Sequence, residues 1–310
     1  MYTDFEDYGW SSGTYCQKIY QGYTTKIEKD VVISTWQSIY KMPRKYFEQF
    51  GCVIGDEAHM FKAKSLTGIM TKLHQCKYRF GLTGTLDGSQ THKLVLEGLF
   101  GTVEKVVSTK ELIDKNTLAN LKIKCIVLKH PTKKERMDYA EEINYIVAKE
   151  SRNNFILELC NNIGGNTLCL YQLVEKHGKI LYEGMKGSEN VYFVYGGTDT
   201  EQRERIRGLV EGHSNSTTIA SYGTFSTGIN IRNINNIVLA SPSKSKIRVL
   251  QSIGRGLRTS STKDSILIFD VADDISYKER RNFTLNHFFE RINIYNEEQF
   301  NYEISKVKIK

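Results

Sequence analysis

The chain has 310 residues, with 43 Lys and Arg against 35 Asp and Glu, for a net charge of +8. That length suits two domains, and the basic balance favours a polyanionic partner such as nucleic acid. The six cysteines form no C-x-x-C pair, the histidines form no H-E-x-x-H pair, and no apolar run approaches ~20 residues; this argues against a disulfide framework, a zinc hydrolase and a helical membrane protein. With no signal-peptide pattern at its start, the chain reads as cytoplasmic, in the host cytoplasm if viral.

Residues 1 to about 110 alternate short strands and helices, a pattern that predicts a parallel sheet. A strand is expected near Asp30 to Ser34, followed by Thr35-Trp36-Gln37-Ser38 and a helix from Gln37 to Phe50. The apolar run Cys52-Val53-Ile54 then closes on Gly55-Asp56-Glu57-Ala58-His59. In an open parallel sheet ligands bind at the carboxyl ends of strands. Two adjacent carboxylates there can hold a magnesium ion and orient the water that attacks a phosphate. A helix around Leu66 to Leu73 and a strand from Tyr78 to Leu82 follow, the latter running into Thr83-Gly84-Thr85, whose hydroxyls can bond a carboxylate or a phosphate.

An apolar alternation at Ile123, Cys125 and Val127 reads as a strand leading out of this first lobe, and His130-Pro131 ends it. Helical spacing from Lys133 to Asn162 is interrupted near Arg152-Asn153-Asn154. The second lobe alternates again: strands at Thr167 to Tyr171, Asn190 to Tyr195, Thr217 to Ala220, Ile234 to Ala240 and Ser265 to Val271, and helices at Leu173 to Met185, Glu201 to Gly212 and Ser245 to Leu257.

In the last of these helices Gln251, Arg255 and Arg258 fall at i, i+4 and i+7 on one face, while Leu250, Ile253 and Leu257 fall on another. Gly254 and Gly256 each cost ~1 kcal/mol of helix propensity. Their presence suggests close approach to a ligand or a neighbouring domain. The tail from Asp273 mixes charges with aromatics, and Phe288, Ile292 and Tyr295 at helical spacing predict a helix packed on the second lobe, with an aromatic nucleic-acid platform as the other reading.

The order Gly55-Asp56-Glu57-Ala58-His59, Leu82-Thr83-Gly84-Thr85 and Gln251-Ser252-Ile253-Gly254-Arg255-Gly256-Leu257-Arg258 resembles motifs II, III and VI of superfamily-two helicases. Val31-Val32-Ile33-Ser34-Thr35-Trp36-Gln37-Ser38 resembles motif Ib, Thr167 to Tyr171 motif IV, and Ile219 to Asn230 motif V. Tyr195-Gly196-Gly197-Thr198, followed by Arg203 and Arg205, resembles the block between motifs IV and V. The wording of motifs V and VI is similar to that of the UvsW recombination helicases of T-even-like bacteriophages.

The resemblance implies an α/β fold of two RecA-like lobes with parallel sheets, the first lobe incomplete: residues 1–130 as the C-terminal part of the first lobe, 131–272 as the second, and 273–310 as a helical extension packed on it. It implies an ATP-dependent DNA helicase or translocase that remodels branched DNA, with ATP and magnesium as cofactors. Asp56 would hold the magnesium and Glu57 would polarise the attacking water. His59, Thr83 and Thr85 would couple the nucleotide to the nucleic acid. Gln251, Arg255 and Arg258 would act on the phosphates as catalytic residues, and Gly228 and Asn230 would contact the nucleotide. Thr35, Gln37, Thr198, Ser221 and Thr227 would hold the DNA backbone, giving low sequence specificity. Motif V often carries Asp where this chain has Asn230.

A phosphate-cradling loop needs Gly-x-x-x-x-Gly-Lys-Ser/Thr. Gly-Lys occurs here only at Gly178-Lys179, before Ile180. In the resembling helicases the loop lies upstream of motif Ib, so the chain is expected to be N-terminally truncated or one part of a split motor, inactive alone. Two readings stand: an ATP-driven DNA helicase, and a non-enzymatic nucleic-acid-binding half-motor whose partner chain supplies the loop.

Overall fold

The computed structural model describes all residues except 1, 21, 22, 62, 85, 87–89, 132–134, 225–230, 232, 243, 244 and 258–264, and their side chains except those of 3, 4, 7, 246–248 and 255. It divides between Glu104 and Lys105 into two units.

In the first unit the short apolar runs pair in register as two parallel ribbons. β1 (Cys16–Ile19) lies beside β2 (Val31–Ser34), and β3 (Cys52–Gly55) beside β4 (Tyr78–Gly81). The helix Lys64–Lys72 turns Leu66, Ile69 and Met70 inward, the i, i+3, i+4 stripe of an amphipathic helix, against Phe47, Phe61 and Leu96. The helix expected from Gln37 to Phe50 is two short ones, Trp36–Ile39 and Arg44–Phe47. Pro43 explains the break, since its ring disfavours the helical conformation at Met42 and it offers no N–H.

The second unit is one parallel sheet of seven strands, ordered β11-β5-β10-β9-β6-β8-β7. These are β5 (Asn120–Lys129), β6 (Asn166–Tyr171), β7 (Val191–Val194), β8 (Ser216–Ser221), β9 (Asn236–Leu239), β10 (Ser265–Asp274) and β11 (Tyr302–Lys308). Every residue of β6, β8 and β9 is buried, as a sheet covered on both faces requires. Helices Thr200–Gly212, Lys246–Gly256 and Phe283–Glu297 pack on one face through Val210, Ile253 and Phe288. Helices Glu150–Asn162 and Lys179–Gly184 cover the other through Ile156 and Leu181. This doubly wound arrangement is the α/β RecA-like architecture expected.

Four expectations are corrected. The strand thought to lead out of the first lobe, β5, lies inside the second sheet between β11 and β10, paired Ile123↔Ile268. Its alternating residues feed both core layers, Ile123, Cys125 and Val127 one and Ile126 and Leu128 the other. The tail adds not only a helix but an edge strand, β11, whose lysines and mostly exposed side chains suit a sheet edge. The helical break falls at Lys149 (φ −70, ψ 110), not at Arg152 to Asn154. Arg152 stays inside the helix because the buried Asp273 and Ala240 O take up its guanidinium, and Asn153 Nδ2 donates to Val147 O at 2.9 Å. The segment Leu173 to Met185 begins as a π-helical turn, Val174–Gly178, before the α-helix.

Candidate functional site

The first unit gathers the acidic motif and motif III at the carboxyl ends of β3 and β4. The ladder runs past the strands: Leu82 N donates to Gly55 O at 2.8 Å and Ala58 N to Leu82 O at 2.8 Å. Gly55 and Gly81 are register partners. A Cβ on Gly55 would stand 2.9 Å from Phe61 and 3.0 Å from Phe100, and one on Gly81 2.9 Å from Phe100. The two glycines thus let the Phe61 and Phe100 rings, packed edge to face at 5.0 Å, close directly on the strand ends that carry the carboxylates.

Asp56 is exposed and its Oδ1 accepts from Glu57 N at 2.9 Å. Glu57 sits in the left-handed region (φ 49, ψ 50), a conformation costing a non-glycine residue ~1 kcal/mol or more. Its carboxylate is half exposed. Oε2 lies 3.2 Å from Nδ1 of the buried His59, and the same nitrogen lies 3.0 Å from Thr83 Oγ1. A carboxylate, an imidazole and a hydroxyl therefore form one continuous polar chain between two motifs that are 24 residues apart. An exposed carboxylate at a strand end fits magnesium, which takes few protein ligands and completes its shell with water and substrate phosphates. Among the described residues no cluster of three or more ligating side chains exists.

Thr35 and Gln37 are exposed at the start of the helix Trp36–Ile39, with Thr35 Oγ1 3.0 Å from Ser38 Oγ. In the second unit Thr198 is buried and closes its own turn, its Oγ1 accepting from Tyr195 N at 3.1 Å. Ser221, at the end of β8, likewise bonds Thr224 Oγ1 at 2.8 Å. Gln251 is half-buried on the helix Lys246–Gly256, which also carries the Arg255 backbone. Thr85, Thr227, Gly228, Asn230, Arg258 and the Arg255 side chain lie outside what is described. Gly256 has a structural reason: a Cβ there would meet Ile266 at 2.1 Å and Ile237 at 2.8 Å. It lets the helix lie close on β9 and β10, so the close approach inferred from sequence is to the sheet. Gly254 meets nothing within 4 Å among the described residues.

Sequence reading missed a buried polar chain across the carboxyl ends of β5, β6, β9 and β10. Asp273 Oδ1 accepts from Arg152 Nε at 2.8 Å and lies 2.8 Å from His130 Nε2. Arg152 Nη2 donates to Ala240 O at 2.7 Å, and His177 Nδ1 lies 2.9 Å from Ser241 Oγ, which accepts from Gln172 N at 3.1 Å. Burial, and then the Arg152 charge, push the His177 pKa down to about 3, so it is a neutral imidazole at physiological pH. Burial alone would raise Asp273, yet the Arg152 and His130 side chains together hold it below the usual carboxylate range. The chain pins the end of the strand resembling motif IV to its neighbours. Arg152 and Asp273 are 121 residues apart, so no local spacing could reveal it.

Residues 1–88 match the family model described as type III restriction enzyme, res subunit, and residues 150–260 match the helicase conserved C-terminal domain. The whole chain is 34% identical to the ATP-dependent DNA helicase uvsW of Enterobacteria phage T4 and spans 66% of that relative's length. The crystal structure of T4 UvsW matches 99% of this chain and 65% of its own at a TM-score of 0.55. A fragment of a putative HsdR subunit of a type I restriction enzyme from Vibrio vulnificus YJ016 shares the fold at a TM-score of 0.71 and 15% identity. Among the described residues no helix is long and apolar enough to cross a membrane. On the ordered motifs, the parallel doubly wound sheet and the 34% identity to uvsW along the whole of this chain, the chain belongs to the superfamily-two helicases.

Proposed function

We propose that the chain forms the water-activating, coupling and arginine-bearing parts of an ATP-dependent DNA motor that remodels branched DNA in recombination, repair and replication. The observation that carries this reading is the Glu57–His59–Thr83 chain. It joins the carboxylate read as the activator of water to the Thr83 hydroxyl, read as the sensor of the nucleotide state. The name of the T4 relative, an ATP-dependent DNA helicase, supports DNA as the substrate.

In this reading residues 1–104 belong to the first RecA-like lobe and residues 105–310 to the second. Asp56 holds magnesium, which when bound offsets the charge of the nucleotide phosphates. The Glu57 carboxylate accepts a hydrogen bond from the attacking water and orients it, while His59 fixes the carboxylate's position. Thr83, with Thr85, passes the nucleotide state toward the nucleic acid. Gln251, Arg255 and Arg258 bind phosphate oxygens, with guanidiniums suited to bidentate contact. Gly228 and Asn230 contact the nucleotide. Thr35 and Gln37, exposed at a helix start, hold the DNA backbone together with Thr198, Ser221 and Thr227; because Thr198 and Ser221 close their own turns, their part is to shape the loops they cap.

A second reading is a non-enzymatic nucleic-acid-binding half-motor whose phosphate loop comes from another chain. Both are tested by joining the phosphate-loop segment of T4 UvsW ahead of Met1 and measuring ATP hydrolysis with and without forked DNA. DNA-stimulated hydrolysis by the joined protein, and none by the 310-residue chain alone, supports the motor. DNA binding with no hydrolysis in either form supports the binding module.

A further inference from the structure

Where β10 ends, the chain makes a turn closed by Tyr277 and Arg280, each backbone N–H donating to the other's carbonyl at 3.1 Å, before the helix Phe283–Glu297 begins. Arg136, Arg280 and Arg281 line one cleft there with Tyr277 and Phe283. The carboxylate lining that cleft, Glu142, is buried and committed to the helix start: it accepts from Phe283 N at 2.9 Å, Thr284 N at 2.6 Å and Asn282 Nδ2 at 2.8 Å. It therefore serves the helix start rather than the guanidiniums. Among the described residues none of the three arginines, all exposed, forms an ion pair.

Two of them lie on aromatic rings instead. The Arg136 guanidinium sits 5.5 Å from the Phe283 ring centre and that of Arg281 4.2 Å from Phe289. Phe289 is 37% exposed and Tyr139 is 45% exposed, and Tyr139 stands edge-on to Phe283 at 6.0 Å. Core packing does not require these rings. The same helix meets the core through Phe288, Ile292 and Tyr295, all buried. Three guanidiniums that form no ion pair among the described residues, interleaved with aromatic rings of which Tyr139 and Phe289 are exposed, match the chemistry of a single nucleic-acid strand, whose phosphates pair with arginine and whose open base faces stack on aromatics. A duplex keeps its base faces covered and would gain only the charge contact.

We propose that Arg136, Arg280 and Arg281 with Tyr139, Phe283 and Phe289 form a second contact surface for single-stranded DNA, outside the residues that resemble helicase motifs. It rests on the reading that the chain binds DNA. Fluorescence anisotropy of the full 310-residue chain with labelled oligo-dT and with a blunt duplex, over a range of salt, tests it. The triple variant Arg136→Gln/Arg280→Gln/Arg281→Gln should weaken oligo-dT binding about tenfold and flatten the logarithmic salt slope by about 2, from ~0.7 per phosphate contact. Phe289→Ala should weaken oligo-dT binding severalfold with the slope unchanged, and should leave duplex binding unchanged. Arg281→Gln alone carries the charge test if the triple variant lowers the melting temperature. Unchanged oligo-dT binding in these variants, while Thr35→Ala/Gln37→Ala loses it, overturns this surface and keeps the DNA reading. Equal losses on duplex and single strand in Phe289→Ala overturn the single-strand assignment. No binding by the unmodified chain at low salt overturns the DNA reading itself.

Discussion

His59 and Thr83 meet through a 3.0 Å contact between Nδ1 and Oγ1, although one belongs to the acidic motif and the other to motif III. The same imidazole nitrogen lies 3.2 Å from Glu57, so a change at Thr83 is felt at the carboxylate through a single ring. The ring is buried, which holds this geometry against competing water.

Thr83→Val keeps the side-chain volume and removes the hydroxyl, a loss of ~1 kcal/mol in a typical hydrogen bond. In the joined protein, ATP hydrolysis should fall by no more than severalfold while unwinding of forked DNA falls about tenfold or more, because the variant cuts the link and spares Glu57. Parallel measurement of both rates decides it. An equal fall in the two would place Thr83 in the hydrolytic step itself.

The two glycines of the motif VI helix should separate. Gly256→Ala forces a methyl into Ile266 and Ile237 and should destabilise the chain by ~1–3 kcal/mol in urea unfolding. Gly254→Ala meets open space and should stabilise it by up to ~1 kcal/mol through helix propensity. If Gly254→Ala keeps its stability but loses DNA-stimulated hydrolysis in the joined protein, Gly254 is the position reserved for close approach to a ligand.

Stability should depend on pH through His177. Its pKa falls from an ordinary 6.5 to about 3 on folding. Between those values the unfolded chain binds the proton and the folded chain does not, so acid favours unfolding. The stabilisation is complete above about pH 6.5 and is lost as pH falls toward 3, by up to ~1.4 kcal/mol per pH unit. Across that window the urea midpoint of the unmodified chain should fall with acid more steeply than that of His177→Gln, which cannot take up the proton. Parallel curves would show that His177 does not carry the dependence.

The ion pair between Asp270 and Arg291 is buried, with Arg291 Nη2 donating to Asp270 Oδ1 at 2.7 Å and Tyr295 OH donating to Oδ2 at 2.8 Å. Asp270→Ala strands a buried guanidinium and should cost ~3–5 kcal/mol, read as a lowered melting temperature. A loss within experimental error would mean that the site opens to water on substitution.

Most of the second unit was legible because each of its central strands is a short apolar run between helices with a clear apolar face. Ser265 to Val271 and Thr200 to Gly212 are examples, the latter capped by Asp199, which accepts from Gln202 N at 2.7 Å. What was missed depends on partners far away in sequence. β5 takes its place from register with β10, and β11 is too polar to read as a strand until an edge is there to receive it. The acidic motif could be read as a motif, but not its contact with Thr83, which exists only because β3 and β4 pair in register. Likewise Arg152 looked like a helix breaker until Asp273 supplied its partner.

ATP hydrolysis by the joined protein carrying Glu57→Gln or Arg258→Ala tests the motor reading most directly. Each substitution removes water activation or charge stabilisation that is made chiefly in the transition state. Both should lower DNA-stimulated turnover by about 10³-fold or more, while the melting temperature and forked-DNA affinity stay at the unsubstituted values. Near-normal turnover in Glu57→Gln would contradict the assignment of this carboxylate, and with it the claim that the Glu57–His59–Thr83 chain belongs to an ATP-driven motor.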